Sequence, residues 1–196
     1  MKKKLIFVAA PPACGKTYVS QRIAEAVPQM VYLDKDDLCD LLRAAFRVAG
    51  EPVDMDGAFY IDNLRSAEYA TILHIAFSTL RYADHVLLNA PMGKEVRDAE
   101  YMHSLKTRAN EMGADLLMIW VTAPREVCYQ RMKSRNSDRD LLKLANWDAY
   151  TSKINYAPPV ALAHNNAVDH LLVFDATDDA TTAQSLENAI KMILGE

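Results

Sequence analysis

Residues 10–17, A10-P-P-A-C-G-K-T17, decide how the chain is read. Gly15, Lys16 and Thr17 fill the last three places of the pattern G-x-x-x-x-G-K-[ST], and Ala10 stands where its first glycine belongs. An apolar run at 5–9 precedes the stretch and a helical pattern at 16–26 follows it, so the loop sits between a strand and a helix. In that setting the backbone N–H groups of Ala13, Cys14, Gly15, Lys16 and Thr17 can turn into one concavity at a helix N-terminus, a cradle for an anion such as the β-phosphate of ATP. Lys16 would neutralise the β and γ oxygens, the Thr17 hydroxyl would ligate Mg2+, and Tyr18 belongs to the same nucleotide-binding loop. The first glycine of the pattern serves turn geometry more than phosphate contact, so Ala10 is acceptable where its φ is negative. An ordinary strand-to-helix turn could also contain Gly-Lys-Thr, but the strand, the spacing and the helix together favour the phosphate loop.

Working outward, apolar runs alternate with longer stretches of helical period, the signature of parallel strands joined through helices. The runs are LIFVA (5–9), MVYL (30–33), HVLLN (85–89), LLMIWV (116–121) and HLLVF (170–174). Helical patterns fall at 16–26, 37–48, 57–81, 95–112, 124–135, 146–156 and 182–194. The runs are apolar throughout, as expected of strands covered on both faces. These features predict an α/β fold with one domain over 1–196, an acid-rich loop at 50–57 and a polar connection or lid at 134–146.

With 196 residues, 51% of them apolar, the chain can bury one sizeable core. A net charge of -4 argues against a protein whose main task is coating phosphate backbones, although a local basic patch would still admit a nucleic acid. Cys14, Cys39 and Cys128 are widely spaced and odd in number, which suggests neither a disulfide framework nor a Cys-x-x-Cys metal site and fits a reducing cytoplasm. His74, His85, His103, His164 and His170 show no ligand spacing, and no stretch is long and apolar enough to span a membrane.

Two further clusters carry chemistry. YLDKDDL places Asp34, Asp36 and Asp37 at the carboxyl end of the second strand, the edge where ligands bind in open parallel sheets. A carboxylate there can take the proton of a hydroxyl as its oxygen attacks a phosphoryl group, although Asp36 or Asp37 could instead cap the following helix. After the fourth strand, Arg131 and Arg135 lie on one helical face and Arg139 follows in the presumed lid. One guanidinium can lie over a base and others can grip phosphate oxygens as charge shifts, or all three can be a solvated helix end.

Together, APPACGKT, D34-K-D-D37 and R131-M-K-S-R135 resemble the P-loop kinases of small substrates, a group that includes adenylate kinase, polynucleotide 5'-hydroxyl kinases, zeta-toxin kinases and chloramphenicol phosphotransferase. The resemblance implies a P-loop NTPase three-layer αβα sandwich with a five-stranded parallel sheet in order 2-3-1-4-5, and an acceptor region between strands two and three, at about 38–82. It implies Asp36 as general base, Arg131 over adenine, and Arg135 and Arg139 at the phosphates beside Lys16. The third strand of such kinases usually ends in an Asp that holds Mg2+ through water, and Asn89 stands there, bringing no negative charge. The expected activity is transfer of the γ-phosphoryl of ATP to a hydroxyl of a small molecule. A regulatory nucleotide-binding module, which Asn89 favours, and a nucleic-acid 5'-hydroxyl kinase are the alternatives, and the oligomeric state is left open.

Overall fold

The computed structural model describes residues 2–137 and 140–195. A five-stranded, all-parallel sheet runs in the order β2-β3-β1-β4-β5, with β1 at Lys3–Ala9, β2 at Met30–Asp34, β3 at His85–Asn89, β4 at Ala114–Thr122 and β5 at His170–Asp175. The expected topology is therefore the observed one. Alternation along β1 divides the core in two. Leu5, Phe7 and Ala9 face one layer, with α3 (Arg65–Leu80) and α4 (Ala99–Glu111), while Ile6 and Val8 face the other, with α1 (Lys16–Ala26), α5 (Arg125–Arg135) and α9 (Asp179–Leu194).

Coverage on both faces holds for the inner strands only. β1, β3 and β4 are almost wholly buried, whereas β2 is half-buried along its length and β5 is exposed in part. Both are edge strands, each with a neighbour on one side alone, so fewer side chains close over them.

Helix boundaries depart from the periodic pattern at several places. A 3-10 turn, Lys35–Leu38, precedes α2 (Cys39–Ala49), and its first N–H groups are capped by Asp34, whose carboxylate accepts from the Asp36 N–H at 3.0 Å. Capping thus falls to Asp34 and not to Asp36 or Asp37. The long pattern at 57–81 divides into a π-helical turn, Tyr60–Leu64, and α3. Beyond α5 the chain forms short helices, α6 (Leu141–Ala145), α7 (Trp147–Thr151) and α8 (Ala161–His164). Among the described residues, no helix is long and apolar enough to cross a membrane.

Phe7 is fully buried at the centre of the sheet. Phe7→Ala is expected to cost about 3–5 kcal/mol in a urea unfolding curve, through lost transfer free energy and a residual cavity. A loss under about 1 kcal/mol would contradict the central position assigned to this ring.

Candidate active site

The parallel register brings the candidate residues together. β1 ends directly into the loop at 10–15, and on the adjoining strands Asp34 lies opposite Asn89, which in turn lies opposite Val8. The loop turns through two left-handed residues, Ala13 at φ 62° and Gly15 at φ 93°, and Gly15 is the N-cap of α1. The left-handed positions are not at Ala10, so the missing first glycine carries no steric penalty here. Ala13 is a strained residue, of the kind that clusters at ligand clamps.

Asn89 is fully buried and is the meeting point of the site. Its carbonyl oxygen accepts from the Lys16 ammonium and from the Ser20 hydroxyl at 3.2 Å. Its amide nitrogen lies 2.6 Å from Asp34 Oδ2, 3.0 Å from the Tyr32 hydroxyl and 3.3 Å from Thr17 Oγ1. Tyr32 donates its own hydroxyl to Asp34 Oδ2 at 2.7 Å. With Asp36 N–H on Oδ1, both oxygens of Asp34 are engaged. The Asp36 carboxylate, by contrast, is exposed and has only Lys35 at 3.4 Å as an ionic partner among the described residues.

Lys35, inside the Asp34-Lys-Asp36 turn, is buried and donates to Glu68 Oε1 at 2.7 Å, while the Tyr60 hydroxyl donates to Glu68 Oε2. The neighbouring Arg65 makes a two-pronged pair with Glu95 at 2.7 and 3.1 Å and lies over the Tyr69 ring at 4.4 Å. Arg65 and Tyr69, four apart, share a helical face in the sequence, but nothing there indicates that Tyr60, Lys35 and Glu68 meet beside them. A lysine inside an acidic turn and a glutamate in an otherwise apolar helix face were the available signals.

The arginines take different partners. Arg131 is tied behind the phosphate loop, donating to the Cys14 carbonyl at 3.2 Å and to the Ala176 carbonyl at 2.6 Å. Arg135 donates through Nε and Nη2 to Asp140 Oδ2 at 2.8 and 2.6 Å, and Asp140 is almost fully buried. Arg139 lies outside the described residues. An open groove of about 540 Å3 runs beside α5, lined by Glu126, Val127, Gln130, Arg131, Ser134 and Arg135. Tyr18 is exposed, with the Arg22 guanidinium 5.3 Å from its ring centre.

Burial lowers the Lys16 pKa to about 8, with the nearby Asp34 and Asp36 carboxylates pulling the other way. An unfolded lysine holds its proton to about pH 10.4, so stability of the nucleotide-free protein rises as pH climbs through this window and Lys16 sheds its charge. A phosphate in the cradle favours the charged form again. Nucleotide binding at about pH 8.5 is therefore expected to take up a proton, and affinity to decline above about pH 8. Calorimetric titrations in two buffers of different ionisation heat measure this, and identical heats in both would contradict it.

The Asn89→Asp variant is expected to place two carboxylates in contact, since Asp34 Oδ2 is 2.6 Å from the replaced nitrogen. One of the two must then hold a proton. The loss of stability, about 1–3 kcal/mol, should appear near neutral pH and shrink as pH falls through the carboxylate range. Melting curves at pH 5 and pH 8 that show the same loss would contradict the contact.

The fold is shared with several solved structures. A candidate kinase from Chloroflexus aurantiacus aligns over 100% of both chains with a TM-score of 0.64 and 21% identity. A sugar kinase from Janibacter sp. aligns over 98% of this chain and 95% of its own, with a TM-score of 0.59 and 15% identity. Kti12 from Chaetomium thermophilum, solved with ADP-AlF3, aligns over 96% and 98%, with a TM-score of 0.57 and 15% identity. A search of curated proteins by sequence finds no match. A family model does match, across residues 5–157, and by that match, together with the loop at 10–17 and the 2-3-1-4-5 sheet, the chain belongs to the AAA domain family of P-loop proteins.

Proposed function

We infer that the protein is an ATP-dependent phosphotransferase that moves the γ-phosphoryl group of ATP to a hydroxyl of a small molecule. The observation that carries this reading is the division of labour in the acidic turn. Asp34 is held by Tyr32, Asn89 and the Asp36 N–H, whereas the Asp36 carboxylate stands exposed beside it at the carboxyl edge of the sheet. An anchored carboxylate, bridged to Thr17 through Asn89, and an exposed one nearby, paired with Lys35 alone among the described residues, suit two tasks, holding charge at the metal side and taking a proton at the acceptor side. The solved relatives with kinase names lend the reading support through fold alone.

Mg2+ suits the oxygens present. Among the described residues no group of three or more His, Cys, Asp or Glu side chains could cage a metal by itself. Mg2+ asks for less than that, since it keeps several waters and takes its other ligands from nucleotide phosphates. Thr17 Oγ1 would be the direct ligand, and Asp34, bridged to Thr17 through Asn89, would supply the negative charge that Asn89 lacks. When bound, the ion would draw charge from the β and γ oxygens.

The chain's own residues would do the rest. The N–H groups of residues 13–17 would hold the β-phosphate, and Lys16 would leave the Asn89 carbonyl for the phosphate oxygens. Asp36 would accept the acceptor's hydroxyl proton as the oxygen attacks phosphorus in line with the departing ADP. Arg131 would border the base in the groove along α5, and Arg135, on releasing Asp140, would reach the transferring phosphoryl group together with Arg139. Residues 134–146 would serve as the lid and 38–82 as the acceptor region. An apolar groove of about 520 Å3 between α2 and α3, lined by Leu41, Ala45, Val48, Leu64 and Ala67, supports an acceptor with an apolar part.

A screen of hydroxyl compounds for ADP release, with Lys16→Ala as blank, tests the activity. For an acceptor so found, Asp36→Asn is expected to lower kcat by about 10²–10⁴-fold and leave ATP affinity near its original value. Full turnover by this variant would remove Asp36 from the role of base.

A further inference from the structure

The sulfur atoms of Cys14 and Cys128 lie 3.5 Å apart, and both side chains are fully buried. One sits inside the phosphate loop and the other in the first turns of α5, so residues far apart in sequence meet beneath the cradle. Cys14 is flanked by the two left-handed residues of the loop, Ala13 and Gly15. Three residues past Cys128, Arg131 holds the Cys14 carbonyl at 3.2 Å. The third cysteine, Cys39, is half-buried at the start of α2.

We propose that Cys14 and Cys128 form an oxidative modification site, a thiol pair that a peroxide converts to a disulfide and that thereby closes the nucleotide loop to ATP. The proposal rests on the phosphate-binding role of residues 10–17 and on no assumption about the acceptor.

The two sulfurs share a hydrogen bond asymmetrically. Donation from Cys14 and the positive charge of Arg131 hold the Cys128 thiol below its ordinary value, while that bond to Cys128 and then burial push Cys14 well above its own. Cys128 is thus the sulfur that more readily becomes a thiolate. Its thiolate attacks one peroxide oxygen, the O–O bond breaks, the leaving hydroxide takes up the proton that the Cys128 thiol gave up and becomes the first water, and Cys128 becomes a sulfenic acid. Cys14 sulfur then attacks the sulfenic sulfur, the S–O bond breaks, and the hydroxyl departs as water with the Cys14 proton. The pair loses two electrons and two hydrogens, and hydrogen peroxide is reduced to two waters.

A disulfide requires the sulfurs to close from 3.5 Å to about 2.05 Å. α5 is the firmer partner, because Cys128 is held in the hydrogen-bonded turns of a helix, whereas Cys14, though equally buried, lies in a loop between two left-handed residues. The loop is the side that gives. A displacement on the order of 1 Å misaims its N–H groups, and misplacements of that size cost about 10²-fold where geometry governs function.

The test treats the whole chain with hydrogen peroxide, with and without ATP, and follows it by intact mass and peptide mapping. Expected are the loss of two hydrogens, a linked Cys14–Cys128 peptide, a fall in ATP affinity of at least about tenfold, and recovery on adding dithiothreitol. In a glutathione redox buffer, where thiols and disulfide equilibrate, reciprocity of linked equilibria requires bound ATP to disfavour the disulfide to the same degree. Cys128→Ser, with Cys128→Ala as a second variant should serine disturb the core, is expected to bind ATP normally and to keep that affinity after peroxide. Oxidation confined to Cys39, or a linked pair with unchanged ATP affinity, would overturn the proposal. Failure of the reduced protein to bind ATP would instead remove the nucleotide site itself, while the linked peptide would still report on the thiol pair.

Discussion

The site depends on one buried amide. Asn89 has a carbonyl with two lone pairs, which accept from Lys16 and Ser20, and an amino group whose two hydrogens are shared among Asp34, Tyr32 and Thr17. In a low-dielectric interior such a network is rigid when complete and costly when broken. It also keeps a cation and an anion in one cluster through a neutral bridge. Lys16 is close enough to Asp34 to feel its charge, yet its hydrogen bond goes to Asn89, so burial still prevails and its pKa falls to about 8. A lysine in that state gains by meeting phosphate.

A second layer holds the acidic turn in place. Lys35 reaches back from the turn into the interior, where Glu68 takes one hydrogen bond from it and another from Tyr60. A buried ion pair of this kind contributes little net stability, because desolvation offsets attraction, but removing one partner strands the other. Its effect is positional. The π-helical turn at Tyr60–Leu64 adds to this, since π-bulges re-aim side chains at functional sites, and Tyr60 lies inside it. Arg65 and Glu95 tie the start of α3 to the loop after β3, on the same side of the sheet.

The two departures from the usual pattern fare differently in the structure. Ala10 costs nothing, because the left-handed turns fall at Ala13 and Gly15. Asn89 brings no charge to the end of β3, but Asp34 on the neighbouring strand lies within hydrogen-bond distance of it, so one carboxylate remains in the cluster. The arginines show the opposite case. Their spacing on one helical face was visible in the sequence, but Arg131 is engaged by main-chain carbonyls and Arg135 by Asp140, partners that no spacing within α5 could indicate.

The strands, most helices and the phosphate loop are legible in the residues alone, because these rest on local chemistry: apolar runs of strand length, helical periodicity, and a glycine at the entry to a helix. The sequence also places Asp34 and Asp36 at the ligand edge, since strand ends follow from strand positions. Folding in three dimensions sets which acid is anchored and which is exposed, where Lys35 and Arg135 find their counterions, and that Cys14 meets Cys128. The crossover connections are the cause. Parallel strands joined through helices align residues far apart in the chain, so contacts at the sheet edge and beneath the loop depend on register and helix packing, which no local spacing records.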